Sequence, residues 1–261
     1  MLKAWAGVPS TAAVARAADR AKVNCGGGSS CRRGLRLRIP AGARPEGQSD
    51  GHMTVIDQAA GREYDFWRAS TPEHGEMSAS AASIIPIGVA AGTGLGGTAE
   101  ASYLGLAAGL IRAPELTAGN IGHALATTVE CVQRHDVWPS PANGEGDSVC
   151  SQRGAGPHFA SLLQLNMSAA EIAATGAPAW QQAVMRAMSE YGIYVVDTNG
   201  SGESTEMSLL VEDDKSFTSF GYPGEMASFV QLGGGTDKVA GVPVNVAKLR
   251  VIAPCVPRRT C

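Results

Sequence analysis

Five side chains able to carry or move a proton stand out by type and setting: His52, Asp57, His123, Tyr194 and Asp197. Tyr64, Trp67 and Trp138 add flat rings of the kind that sugar faces pack on. The densest stretch is Ser49-Asp-Gly-His-Met-Thr-Val-Ile-Asp57, continued by Arg62-Glu-Tyr-Asp-Phe-Trp67. Glycoside hydrolysis needs two carboxyl groups, one of them kept protonated, and Asp57 with Asp197 is the pair in view. A lyase would instead take His123 or His52 as base and Tyr64 or Tyr194 as proton donor. A divalent metal on Asp50, His52 and Asp57 is disfavoured, because strand alternation turns His52 and Asp57 to opposite faces. No metal or other cofactor is expected.

These residues need elements to hold them. The 49–57 run reads as a strand with His52, Thr54 and Ile56 on one face and Met53, Val55 and Asp57 on the other. Gln58-Ala-Ala-Gly61 ends in the residue that a positive-φ turn prefers, which predicts a hairpin with 62–67. Asn120 to Val129 reads as an alternating strand with Ile121, His123, Leu125 and Thr127 in one row, a setting that suits a core histidine as well as a catalyst. Leu35–Ile39, Ser161–Met167, Ile193–Thr198, Glu206–Val211 and Lys248–Ile252 read as further strands, the last an edge strand. Ser168-Ala-Ala-Glu171 has the form of a capping box, and Pro178 opens a helix whose stripe runs Trp180, Val184, Met188, Tyr191 before Gly192 stops it. The acidic turn Glu212-Asp-Asp-Lys215 reads as a solvated loop.

Gly92, Gly94 and Gly97 satisfy G-x-G-x-x-G, with Glu115 at about the distance of a ribose-binding acid. Pro114 and the lack of a Val/Ile-rich strand before Glu115 argue against a dinucleotide fold. A glycine-rich loop before a short helix is the better reading.

The 261 residues include 33 glycines and 14 prolines in a chain that is 44% apolar. Many turns between short elements follow, and with them a mainly β fold: a β-sandwich or jelly-roll-like single domain with one or two short helices. The expected division is an N-terminal arm over 1–34, a β-rich domain over 35–232 and a tail or edge strand over 233–261. A net charge of −3 with scattered cations excludes a nucleic-acid footprint, and no run reaches the roughly 20 apolar residues of a membrane span. Met1 to Gly7 is too weakly hydrophobic for a signal core, so an exported form needs a leader that these residues do not supply.

Six cysteines point to an oxidising compartment, with adjacent pairing Cys25–Cys31, Cys131–Cys150 and Cys255–Cys261 the simplest scheme. No Cys-x-x-Cys spacing supports zinc. The absence of a G-x-S-x-G elbow argues against a serine hydrolase.

Ile39-Pro-Ala-Gly-Ala-Arg-Pro45, Ser49-Asp-Gly-His-Met-Thr-Val-Ile-Asp57 with Tyr64-Asp-Phe-Trp67, Ala108-Gly-Leu-Ile-Arg-Ala-Pro-Glu-Leu116 with Gly122-His-Ala-Leu125, and Ala187-Met-Ser-Glu-Tyr-Gly-Ile-Tyr-Val-Val-Asp-Thr198 resemble a family of secreted bacterial β-rich proteins without an assigned activity. The resemblance implies a lectin-like or jelly-roll scaffold and an association with polysaccharides. It marks His52, Asp57, Tyr64, Trp67, His123, Tyr194 and Asp197 as signature positions without giving them roles.

The expected function is that of an extracellular, monomeric carbohydrate-active enzyme, a polysaccharide hydrolase or lyase. His123, Asp197, Asp57, His52 and Tyr194 would be its catalytic groups, and Trp67, Tyr64 and Trp138 its substrate-binding groups. The alternative is a non-catalytic glycan-binding or structural module, for which 5% aromatic content is low. Convergence of histidines and acids in one place separates the two.

Overall fold

The computed structural model describes residues 3–6, 10–11, 20–25, 35–40, 43–46, 50–89, 93–94, 99–133, 135–141, 150, 156–198, 207–212, 242 and 244–254. The chain begins with β1 (Lys3–Ala6), β2 (Ser10–Thr11), β3 (Ala21–Cys25) and β4 (Leu35–Leu37). The pair β5 (Met53–Asp57) and β6 (Arg62–Trp67) follows, then β7 (Glu76–Ala79), β8 (Ala81–Pro86) and β9 (Thr93–Gly94). Next come α1 (Leu106–Gly109), α2 (Ala113–Ala118), β10 (Leu125–Val129) and β11 (Leu162–Leu165). After α3 (Ala169–Ala174) and α4 (Ala179–Glu190), the chain forms β12 (Ile193–Thr198), β13 (Ser208–Val211) and β14 (Leu249–Ile252).

The fold is mainly β, as composition and turn density lead one to expect, with four short helices among the described residues rather than one or two. The strands form three sheets, ordered β2-β5-β6-β8-β9, β4-β3-β7 and β1-β13-β10-β12-β11-β14. Parts of the 1–34 segment belong to these sheets, since β3 pairs with both β4 and β7. The 58–61 turn closes an antiparallel β5–β6 hairpin, with Gly61 at φ 62° and the Asp57 Oδ1 accepting the Ala60 N–H.

Strand alternation then decides which faces meet. Met53, Val55, Tyr64 and Phe66 turn one face of the hairpin onto Val23, Leu37, Met77 and Ala79 of the three-stranded sheet, the sheet-on-sheet packing of a sandwich. Thr54, Glu63 and Asp65 occupy the opposite face and are buried as well. That polar face is covered by α1 and the chain just before it.

The six-stranded sheet is also covered on both faces. Leu125, Ile193, Val195 and Leu209 pack against Leu116 of α2, Ile172 of α3 and the Trp180, Val184, Met188 stripe of α4. Ala126, Val196 and Leu210 face Leu106 and Leu110 at α1. Burying each large apolar side chain contributes about 1.5–3 kcal/mol, so α1 is clamped between two sheets by packing rather than by its own four-residue length. Tyr191 departs from the expected stripe: it is the C-cap of α4 and is 39% exposed.

Several local expectations hold. Ser168 caps α3 with Glu171 in a capping box, Gly192 takes φ 84° after α4, and β14 pairs with β11 as an edge strand. Others change. The strand expected from Asn120 begins only at Leu125, whose N–H pairs with Gly192 O at 3.0 Å, so His123 precedes the ladder. Glu212 is buried rather than solvated. Gly94 lies in β9, paired with β8, while Gly92 and Gly97 fall outside the described residues. Cys131 and Cys150 are bonded; the other two expected pairs reach outside the described residues. Among the described residues no helix is long and apolar enough to cross a membrane.

Candidate functional site

His52 sits at the entry to β5, on the polar face, and the chain returns to it from three directions. Glu46 lies at the end of the preceding turn, and its backbone N–H donates to His52 O at 2.9 Å. The Glu46 Oε1 accepts the His52 backbone N–H at 3.3 Å and lies 3.4 Å from its Nδ1. On the other side of the ring, Nε2 is 3.2 Å from Ala99 O and 3.5 Å from Glu100 Oε1. His52, Glu46 and Glu100 are all buried.

Two further acids rim this group. Asp50 is half-buried and accepts the indole N–H of Trp67 at 3.4 Å. Asp197 is half-buried at the end of β12, accepting the N–H of Ala101 at 3.3 Å and its neighbour Thr198 at 2.7 Å. The β10–β12 register shifts between Thr127 and Thr128, so that Thr127 faces Val195 and Thr128 faces Asp197. An extra residue of this kind re-aims the side chains that follow it, here Asp197. Across the ladder, the buried Thr128 hydroxyl has no hydrogen-bond partner among the described residues. Arg68 and Tyr103 flank the group with φ of 49° and 64°, conformations that cost a side-chain-bearing residue free energy and cluster at functional positions.

The electrostatics follow from four acids around one ring. Burial opposes a charge on His52, but the Glu46 hydrogen bond and the charges of Glu100, Glu46 and Asp50 outweigh it and raise its pKa to about 9. Burial pushes Glu100 up to about 8 against the pull of His52, with the Asp197, Glu46 and Asp50 carboxyls adding to the rise. Asp197 is also raised by burial, opposed by its two backbone N–H donors. The group therefore stores protons near neutrality.

No family model, curated protein or solved structure matches the chain. The functional reading rests on this geometry and on the residues themselves.

Three other groupings hold the remaining candidates. Asp57 accepts from Arg38 at 3.2 Å and from the Tyr64 hydroxyl at 3.4 Å on the sandwich face of the hairpin, the face opposite Thr54 and Asp65. His123 and Tyr194 line a half-enclosed cavity of about 260 Å³ between α1 and the six-stranded sheet. Trp138 sits beside cis Pro139 in the segment joining the bonded cysteines, and it does not line that cavity. The structure thus brings His52 and Asp197 into one electrostatic group with Trp67 at its rim, and sets His123 and Tyr194 along one cavity. It does not join Asp57 to Asp197.

His123 is held at both ring nitrogens. Its Nε2 is 2.9 Å from Glu115 Oε1 and its Nδ1 2.8 Å from Ala124 O. Glu115 in turn caps α2 by accepting the Arg112 N–H at 2.9 Å. Trp67 is limited as a sugar platform, because the Arg68 guanidinium stacks over its ring at 4.3 Å.

Glu46, Glu100, Glu63 and Asp65 were missed as site residues. Glu100 carried a signal: it and Glu115 are the only acids between residues 77 and 129, in a run of small and apolar residues. Glu63 and Asp65 meet under α1, where Glu63 accepts the Ala107 N–H at 2.9 Å and Asp65 the Leu106 N–H at 3.2 Å. Among the described residues no set of three or more His, Cys, Asp or Glu is arranged to hold a metal ion.

Proposed function

We propose that the protein is an extracellular glycoside hydrolase that acts as a monomer on a polysaccharide, with Asp197 and Asp50 as its carboxyl pair. The observation that carries this reading is the convergence of Asp50 and Asp197 on the buried His52–Glu46–Glu100 group. Hydrolysis of a glycosidic bond requires one carboxyl group that keeps its proton and one that does not. Asp197, raised by burial, suits the acid; Asp50, bonded to the Trp67 N–H, suits the carboxylate. His52 and Glu100, behind them, would hold the local charge balance as protons move.

Hydrolysis is preferred to elimination because a lyase needs a ring nitrogen free to take a proton. Both ring nitrogens of His52 face acceptors, and so do both of His123. Of the two tyrosines that could serve a lyase as proton donor, Tyr64 is buried in the sandwich and donates to Asp57, and Tyr194 lies beside a His123 whose ring nitrogens are both engaged. The Cys131–Cys150 bond supports an extracellular setting.

A non-catalytic glycan-binding or structural module is the second reading, favoured by one observation: His52, Glu46 and Glu100 are only 4%, 4% and 3% exposed. Turnover on a panel of neutral and acidic polysaccharides distinguishes the two, following reducing ends and unsaturated-product absorbance. Reducing ends that vanish in folded Asp197→Asn support the hydrolase. Retention on an immobilised glycan with no product from any substrate supports the module.

A further inference from the structure

We infer that Arg68 selects an acidic polysaccharide, a chain whose sugars carry a carboxylate, for the site of Asp50 and Asp197. The inference rests on the hydrolase reading of that site and adds the class of its substrate.

The backbone fixes Arg68 first. Its N–H donates to Asp50 O at 2.7 Å, and the Ala69 N–H donates to Gly51 O at 2.9 Å. These bonds hold Arg68 in the left-handed region at φ 49°, a conformation that a side-chain-bearing residue adopts only at a cost. Its side chain turns back over Trp67, with the guanidinium carbon 4.3 Å from the ring centroid. The same indole donates its N–H to Asp50 Oδ1 at 3.4 Å. One ring therefore carries a cation on its face and the proposed catalytic carboxylate at its edge, so a chain positioned at Asp50 passes the guanidinium.

This arrangement favours an acidic sugar over a neutral one. A neutral sugar packs its C–H face on an aromatic ring, but Arg68 covers a face of Trp67, and the indole also packs against the cluster that holds Ala99, Leu104 and Leu106. The guanidinium itself, on an exposed residue, forms no ion pair or side-chain hydrogen bond among the described residues. Stacking leaves its N–H donors in the plane of the fork, the geometry that pairs with a carboxylate through two parallel bonds, and it orients that plane before the ligand arrives. The nearby acids oppose an anion less than their number suggests. Glu46 and Glu100 are buried beside the His52 imidazolium, and burial holds Asp197 toward its protonated form.

Binding of the full chain to polygalacturonate and alginate, and to methyl-esterified polygalacturonate as the neutral counterpart, tests the assignment by affinity electrophoresis, with reducing ends followed in parallel. Polyuronate binding about tenfold tighter than that of the ester is expected, weakened about tenfold in Arg68→Met, which keeps the stack and removes the charge. Arg62→Met, an equal loss of charge from an exposed position at the other end of β6, should change it less than about twofold. Failure to bind either polyuronate, equal binding of the ester, or equal losses in the two variants would overturn the inference. Arg68-dependent binding without new reducing ends would leave it standing and remove the hydrolase reading.

Discussion

Glu46 and His52 face each other at 3.4 Å with side chains only 1% and 5% exposed, so a carboxylate and an imidazole share one dry site. Their relationship makes stability depend on pH. His52 has a folded pKa raised to about 9, so its proton stabilises the fold fully below the ordinary histidine value, and that contribution is lost as pH rises through 9. Glu100, raised to about 8, acts in the same direction between the ordinary carboxylate range and 8. Thermal unfolding should therefore show Tm falling from about pH 5 to pH 9. In His52→Gln the slope above about pH 6.5 should flatten; an unchanged slope contradicts the assignment.

The contact of Thr54 with Asp65 gives a second expectation. The Thr54 hydroxyl donates to Asp65 Oδ1 at 2.6 Å on the buried polar face, while Asp65 Oδ2 accepts from the first turn of α1. Burial and the nearby Glu63 raise the Asp65 pKa well above the usual range, so this donor matters for an acid already short of water. Thr54→Val keeps the shape and removes the donor. A loss of about 1–3 kcal/mol in urea unfolding is expected, against less than about 0.5 kcal/mol for a surface substitution.

Gly156 and Gly61 make a matched pair of tests. Both have positive φ, 75° and 62°, but a Cβ on Gly156 would lie 2.7 Å from the Cys150 Sγ and 2.9 Å from Cys131 O, whereas one on Gly61 meets nothing within 4 Å. Gly61→Ala should cost about 1 kcal/mol, the backbone penalty alone. Gly156→Ala should cost clearly more and leave free thiol at Cys131 and Cys150 in a thiol assay. Equal losses in the two variants would show that the crowding at Gly156 does not matter.

Glu115 links α2 to His123, and its removal should be felt at both. His123 is raised by the Glu115 and Ala124 hydrogen bonds against the opposing effect of burial, and Glu115 is lowered by His123 and Arg112 against its own burial. Glu115→Gln should bring the His123 titration, followed by NMR, down toward the ordinary histidine value. It should also cost about 0.5–2 kcal/mol through the weakened helix cap. A His123 titration that does not move would mean that the 2.9 Å contact carries no charge.

Local pattern made part of this legible in the sequence. The β5–β6 hairpin, the Ser168 capping box, the helix from Pro178 and the β12 strand all follow from periods of 2 or 3.6 and from turn residues. The partition of Met53 and Val55 from Thr54 onto opposite faces was equally readable. What could not be read was which distant chain covers each face. Glu46 and Glu100 reach His52 only because the turn before β5 and the segment before α1 close over the same point. His123 misled for a related reason: its neighbours alternate like a strand, but its ring is held by Glu115, eight residues back, and pairing starts only at Leu125. Asp57 and Asp197 each suit a catalytic carboxyl by type, yet sheet packing sends them to different groups.

Side-chain NMR shows whether the buried Glu100 keeps its proton beside the His52 imidazolium, the condition for a proton-storing group behind Asp197. Carboxyl-carbon and imidazole-nitrogen shifts, assigned with Glu100→Gln and His52→Gln, would be followed across pH. A Glu100 carboxyl titrating at about 8 and a His52 ring that stays an imidazolium until about 9 are expected. A Glu100 already ionised at pH 6, with His52 neutral at pH 7.5, would contradict this and leave the group a set of ordinary buried contacts.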